Sequence, residues 1–149
     1  SVSEVDVDTT AAAPLAGDIP PAFTAVDVDG ETVSLADYEG EPVWLLFAAT
    51  WCTSCRSEAP DVQAAYEATG IPVLTVYLGE DTPAITSYAD MAGLTFTHIP
   101  DPNNEIAAAY GVMGIPAHIF IGADGVVRET AVGSLSPGRI DQILSALVG

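Results

Sequence analysis

Lysine is absent from this 149-residue sequence. Arginine occurs three times, at Arg56, Arg128 and Arg139, against 21 acidic residues and a formal net charge of −18. A surface this anionic repels phosphate backbones and acidic lipid headgroups, which argues against nucleic-acid binding and adhesion to anionic membranes. The same charge would suit basic protein partners or a high-salt medium, but a well-solvated acidic face that keeps a secreted protein soluble explains it more simply. No apolar run approaches the roughly 20 residues of a membrane-spanning helix. The opening Ser-Val-Ser-Glu-Val-Asp has neither a basic start nor an apolar h-region, so no signal peptide is expected within it. Cysteine is equally scarce, with only Cys52 and Cys55, two residues apart. A structural disulfide more often closes a long loop. With only His98 and His118 to assist, the pair assembles no four-ligand zinc site. Redox chemistry is the reading that remains.

What is present is apolar. Residues of the A, V, I, L, M, F, W, Y and C classes make up 49% of the chain, enough for the sizeable core of one domain. Residues 1–17 are small, acidic and Ala/Pro-rich and read as a disordered or tether-like lead-in, leaving 18–149 as the folded domain. Val26, Val28, Val33 and Leu35 flank Asp29-Gly30 and predict a hairpin. Val43 to Ala48 is continuously apolar, the pattern of a strand buried on both faces. Ala59, Val62, Ala65 and Tyr66 then recur at helical spacing up to Gly70. Val73–Leu78 predicts a second buried strand. Thr82-Pro83 predicts an N-cap opening a helix that ends at Gly93. A third strand is expected over Thr95–Ile99 and a short helix over Asn104–Tyr110. A hairpin follows, of Ala117–Ile121 and Val126–Ala131, then a last helix from Ser136-Pro137 with Ile140, Ile143, Leu144 and Leu147 inward. Strands alternating with helices imply a parallel sheet, to which the final hairpin adds antiparallel strands. The fold class is therefore α/β, with a mixed central sheet flanked by helices.

The Cys-Thr-Ser-Cys motif sits where a buried strand ends and a helix begins, so both sulfurs should lie in the first helical turn within bonding reach. The unpaired amides and positive dipole end of that helix favour a thiolate at Cys52, the more N-terminal and, by expectation, more exposed position. A thiolate is the species that attacks a disulfide, and Cys55, one turn deeper, would resolve the mixed disulfide. About sixty residues later Gly114-Ile115-Pro116-Ala117 enters a strand. A proline there fits either an ordinary strand edge or an X–Pro cis bond that leaves the backbone of Ile115 exposed and unpaired.

Three stretches together identify a family resemblance: Val43-Trp-Leu-Leu-Phe-Ala-Ala-Thr-Trp-Cys-Thr-Ser-Cys-Arg-Ser-Glu-Ala-Pro60, Tyr110-Gly-Val-Met-Gly-Ile-Pro-Ala-His-Ile-Phe-Ile121, and Asp124-Gly125 with the terminal helix. Residues 22–149 resemble the TlpA/ResA-like branch of the thioredoxin superfamily, and the segment from about Thr82 to Ile99 is similar to that branch's insertion in the minimal fold. The resemblance implies a thioredoxin-like three-layer fold with an N-terminal hairpin. It implies an exported thiol–disulfide oxidoreductase that reduces disulfides in other proteins, including apocytochromes c before haem attachment. Cys52 would be the nucleophile, Cys55 the resolving thiol, Pro116 the cis-proline and, with Ile115 and the flanking Trp51, the substrate groove. Glu58 would be the acidic residue that modulates the thiols, and its spacing from Cys55 allows the same helix face. An exposed helical glutamate is the plainer alternative. Pro60 matches the proline that bends this helix. No cofactor and no metal are called for. Implied partners are disulfide-bearing or dithiol proteins and a membrane thiol donor of the DsbD/CcdA type. The protein would be an extracytoplasmic monomer, tethered to the membrane through a removed N-terminal segment.

Departures from the pattern define the alternatives. Leu46 stands where thioredoxins carry a buried aspartate, and Thr53-Ser54 replaces the branch's proline-containing dipeptide, which tunes the redox potential, so a disulfide-forming oxidase is the second reading. Ala117 and His118 replace residues that are usually hydroxylic. His118 could sense pH, contact a substrate or simply pack. A Cu(I) metallochaperone using the thiolates with His118 or His98 fits soft-ligand chemistry but not the narrow cysteine spacing. A peroxiredoxin would need Thr at 49 and Pro at 45, where Ala49 and Leu45 stand.

Overall fold

The computed structural model describes residues 5–10 and 12–149. Two sheets organise it. β1 (Val5–Val7), β2 (Phe23–Val26) and β3 (Thr32–Ser34) form a small antiparallel sheet in the order β1-β2-β3. The central sheet has the order β6-β5-β4-β7-β8, from β4 (Val43–Ala48), β5 (Val73–Leu78), β6 (Thr97–Asp101), β7 (Ala117–Ile121) and β8 (Val127–Val132). β4, β5 and β6 run parallel, while β7 pairs antiparallel with both β4 and β8. The mixed α/β architecture is the one the alternating pattern implies.

β4 is the centre of the sheet and is buried at all six positions. Because side chains alternate across a strand, it feeds two cores. Trp44 and Leu46 pack with Ala59 and Val62 of α1 (Thr53–Thr69), Ile85 and Tyr88 of α2 (Thr82–Ala92) and Ile140 and Ile143 of α4 (Pro137–Val148). Val43, Leu45 and Phe47 face the other way, against Phe23 and Val33 of the small sheet and Ile106 of α3 (Glu105–Ala109). Gly70 and Gly93 end α1 and α2 in the left-handed conformation, φ +69° and +70°. Ser136 caps α4 by accepting from the Arg139 amide at 3.2 Å.

Several boundaries differ from the sequence pattern, each for a local reason. Within the segment expected to be a tether-like lead-in, Val5–Val7 adds to β2 as a strand. The Gly17 amide donates to the Val127 carbonyl at 2.7 Å, and the Tyr110 hydroxyl to the Pro21 carbonyl at 2.6 Å. A short acidic stretch can therefore order itself by pairing with a preformed edge. Residues 1–4 of that segment, and Ala11, lie outside the described residues. The third strand lies two residues later than expected, carrying Pro100 inside it opposite Tyr77. β6 is an edge strand, where a missing N–H costs no ladder bond. Asp81, not Thr82, is the N-cap of α2. Asn104 precedes α3 with φ +56° and makes no side-chain cap. The buried carboxylate of Asp101 receives the α3 amides of Ile106 and Ala107 at 3.2 and 3.0 Å.

Candidate active site

β4 delivers the chain to the site, and Thr50-Trp51 carries it on to Cys52. The Glu80 carboxylate receives the Thr50 amide at 2.7 Å and the Thr50 hydroxyl. From the other side, Arg56 Nη1 donates to the Thr50 carbonyl at 3.0 Å, and its guanidinium lies 5.3 Å from the centre of the Tyr88 ring. Cys52 is the N-cap of α1 and does not lie inside its first turn. Its Sγ accepts the Cys55 amide at 3.3 Å, doing what a serine or aspartate oxygen does at other helix starts. Both cysteines are free thiols.

The expected difference in exposure is nearly absent: Cys52 is 7% and Cys55 6% exposed, because Ala48, Ala49 and Ile115 pack around both. Chemistry separates them instead. Burial, reinforced by the hydrogen bond with Cys52, pushes the Cys55 thiol from its ordinary 9.0 up to about 12. The Ile115–Pro116 bond is cis, and the Ile115 carbonyl oxygen stands 3.9 Å from Cys52 Sγ. Trp51, 70% exposed, flanks the thiol, and Met113 projects into solvent from the loop before Ile115.

Glu58 is not an exposed helical glutamate. It is 3% exposed, and its Oε2 accepts the Leu135 amide at 2.5 Å while lying 3.2 Å from Nε2 of the fully buried His118. Although the separation is short, Nε2 has no aligned hydrogen-bond partner among the described residues. The other ring nitrogen, Nδ1, accepts from Trp44 Nε1 at 3.1 Å. Cys55 and Glu58 line one cavity of about 20 Å³ with Leu46, Thr75, Tyr77 and Pro116. The structure thus brings together Trp51, Cys52, Cys55, Ile115 and Pro116 at the mouth, and Cys55 and Glu58 beneath it.

His98 is elsewhere. The Leu94 carbonyl takes Nε2–H at 3.0 Å, so Nδ1 accepts the Tyr77 hydroxyl at 2.7 Å, and burial lowers its basicity. With His118 engaged by Trp44 and Glu58, neither histidine is free to complete a copper site with the thiols. A larger cavity of about 140 Å³, lined by Ile19, Leu35, Tyr38, Val43 and Ile121, opens at the start of β4, away from the thiols, and is not part of the site.

Glu80 and Thr75 serve the site from outside any motif. Glu80 follows β5 with nothing to mark it. Thr75 does carry a signal, as the lone hydroxyl in the aliphatic first half of Val73–Leu78.

Residues 16–130 match the AhpC/TSA family. The chain is 31% identical over 134 residues to the thiol-disulfide oxidoreductase ResA of Geobacillus thermodenitrificans, covering 88% of this chain and 77% of that protein. A putative thiol:disulfide interchange protein DsbE from Chlorobium tepidum superposes with a TM-score of 0.81 at 31% identity, over 91% of this chain and 99% of that one. A secreted Mycobacterium tuberculosis disulfide oxidoreductase homologous to E. coli DsbE gives 0.76 at 28% identity, over 83% and 95%. With a Cys-Thr-Ser-Cys pair at a strand-to-helix junction facing a cis-proline, the chain belongs to the AhpC/TSA family and, within the thioredoxin superfamily, to its TlpA/ResA-like branch of protein thiol–disulfide oxidoreductases.

Proposed function

We propose that this protein is an extracytoplasmic reductase of protein disulfides. The observation that carries the reading is the position of Cys52: its sulfur caps α1, lies 3.9 Å from the Ile115 carbonyl and is flanked by the exposed Trp51. An extended substrate lies along the Ile115–Pro116 edge as an added strand. The Cys52 thiolate attacks one substrate sulfur, forming a mixed disulfide and releasing the other substrate sulfur as a thiolate that takes up a proton. Cys55 gives up its proton to the Glu58 carboxylate and attacks Cys52 Sγ. The Cys52–Cys55 disulfide forms, and the second substrate sulfur leaves as a thiolate. A thiol held near pKa 12 needs such a base beside it to react at neutral pH.

Two electrons must then return from a donor dithiol, for which a membrane thiol carrier of the DsbD/CcdA type is the expected source, and apocytochromes c are among the expected substrates. The protein acts as a monomer outside the cytoplasm, tethered through sequence preceding the folded domain, and the secreted mycobacterial relative supports that location. The equilibrium potential of the Cys52/Cys55 pair in glutathione buffers tests the direction. A value near about −270 mV fits a reductase, and one near about −120 mV would establish a disulfide-forming oxidase instead.

A further inference from the structure

We propose that His118 is a positioning residue for the exchange reaction, holding Glu58 as the base that takes the Cys55 proton. The inference rests on the reading of Cys55 as resolving thiol and Glu58 as its proton acceptor, and deepens it. Trp44 Nε1–H can only donate, so His118 Nδ1, 3.1 Å away, must be unprotonated. The proton of the neutral ring therefore resides on Nε2, which lies 3.2 Å from Glu58 Oε2 without being aligned on it. A doubly protonated ring would set two N–H groups against each other inside a fully buried contact. Direct contact of His118 with substrate is excluded, because the ring is 0% exposed.

His118 and the Leu135 amide both approach Oε2, and Glu58 lines the cavity shared with Cys55. The contact fixes the carboxylate between β7 and the Leu135 amide. Nε2 is out of line with the carboxylate in the dithiol state, and catalytic hydrogen bonds are often poorly aligned until the reacting complex forms. Thr75, 2% exposed with no partner for its hydroxyl among the described residues, lines the same cavity, whose volume suits one water. The proton passes from Cys55 Sγ through that water to Glu58, and the thiolate forms the bond to Cys52 Sγ as the substrate thiolate leaves. The other titratable groups around the pair are Cys52 at the N-cap of α1, Tyr77 on β5 and Tyr88 on α2. Burial pushes both tyrosines upward, so they stay neutral through the relevant range. Among the described residues, β4 presents no titratable group there: Leu46 and Ala48 line the cavity and Trp44 pairs with His118.

The test follows the two coloured thiolate releases when reduced protein meets one equivalent of an aromatic disulfide such as 5,5′-dithiobis(2-nitrobenzoate), across pH. The first release reports Cys52 attack, and the second reports Cys55 attack on the mixed disulfide. His118→Phe should leave the first phase in place and slow the second about tenfold, with a changed pH profile. His118→Gln, whose amide can accept from Trp44 and donate to Glu58, should restore the native profile. Superimposable second phases for wild type and His118→Phe would overturn the role of His118. Glu58→Gln separates the two failures: if it too leaves the second phase unchanged, Glu58 is not the base at all. Should His118→Phe not fold, imidazole ¹⁵N shifts of the native protein decide. A ring with its proton on Nε2 and a bare Nδ1 supports the assignment, and the opposite tautomer overturns it.

Discussion

Glu80, just past the end of β5, accepts both the backbone amide and the hydroxyl of Thr50, thirty residues earlier, and so fixes the turn that carries Trp51 and Cys52. The carboxylate is half-buried and makes charge-assisted bonds, the stronger class. Glu80→Ala leaves the Thr50 amide without its acceptor and should cost about 1.5–3 kcal/mol in denaturant unfolding. It should also slow Cys52 alkylation, by loosening the N-cap geometry. Glu80→Gln keeps one acceptor oxygen and should fall between the two. Equal stability of all three proteins would show that the latch holds nothing.

Alkylation of the dithiol should find Cys52 first. Exposure does not decide this, since both residues are almost equally buried. The decisive difference is that Cys55 is held as a thiol, pushed up to about 12, whereas Cys52 sits at the open amide end of α1. Peptide mapping after brief iodoacetamide treatment near neutral pH should place the label on Cys52. Predominant label on Cys55 would reverse the roles. A Cys55→Ala protein should trap mixed disulfides, and a Cys52→Ala protein should not.

The sheet was legible in the sequence wherever an element is buried on both faces, as at Val43–Ala48 and Val73–Leu78, because a continuous apolar run has few other places to go. Edges were less legible. Pro100 marks an end in most strands but not in β6, whose outer side pairs with nothing in the sheet. β1 carries no hydrophobic alternation strong enough to announce itself, and its order comes from β2. At the site, Cys52, Cys55 and Pro116 could be read from spacing and resemblance. Glu58 could be placed on the right helix face but not in its buried setting, which depends on Leu135 and His118 arriving from 77 and 60 residues away. His118 stands opposite Leu46 in the β4–β7 ladder, the position where a thioredoxin would keep its buried acid, and no local pattern encodes that pairing.

Gly111 tests whether the segment before β2 is packed in solution. It closes α3 with φ +64°, and a Cβ there would come within 2.6 Å of the Ala13 Cβ. Gly111→Ala should therefore cost about 1–2 kcal/mol for the left-handed backbone alone, plus the displacement of the residues around Ala13. A chain beginning at residue 18 keeps the backbone penalty and loses the clash. The substitution should then be measurably milder in the shortened protein, and an identical penalty in both would mean that Ala13 does not pack on Gly111.

Reduced and oxidised protein should diverge in alkaline solution. The folded state raises the Cys55 thiol from 9.0 to about 12, so folding favours the protonated form. The sign follows from linkage: the unfolded chain releases this proton at lower pH than the folded one, so stability is fully present below about pH 9 and is lost as pH climbs toward about 12. Tyr77 and Tyr110, both raised by burial, add losses of the same sign above their ordinary 10.0. Those tyrosine losses are common to both redox states, whereas the Cys52–Cys55 disulfide has no thiol to titrate. Guanidinium midpoints measured from about pH 7 to about pH 11 should fall for both forms, and more steeply for the dithiol above about pH 9. Parallel curves would mean that Cys55 titrates alike in the folded and unfolded chains, and that its burial does not hold the proton in place.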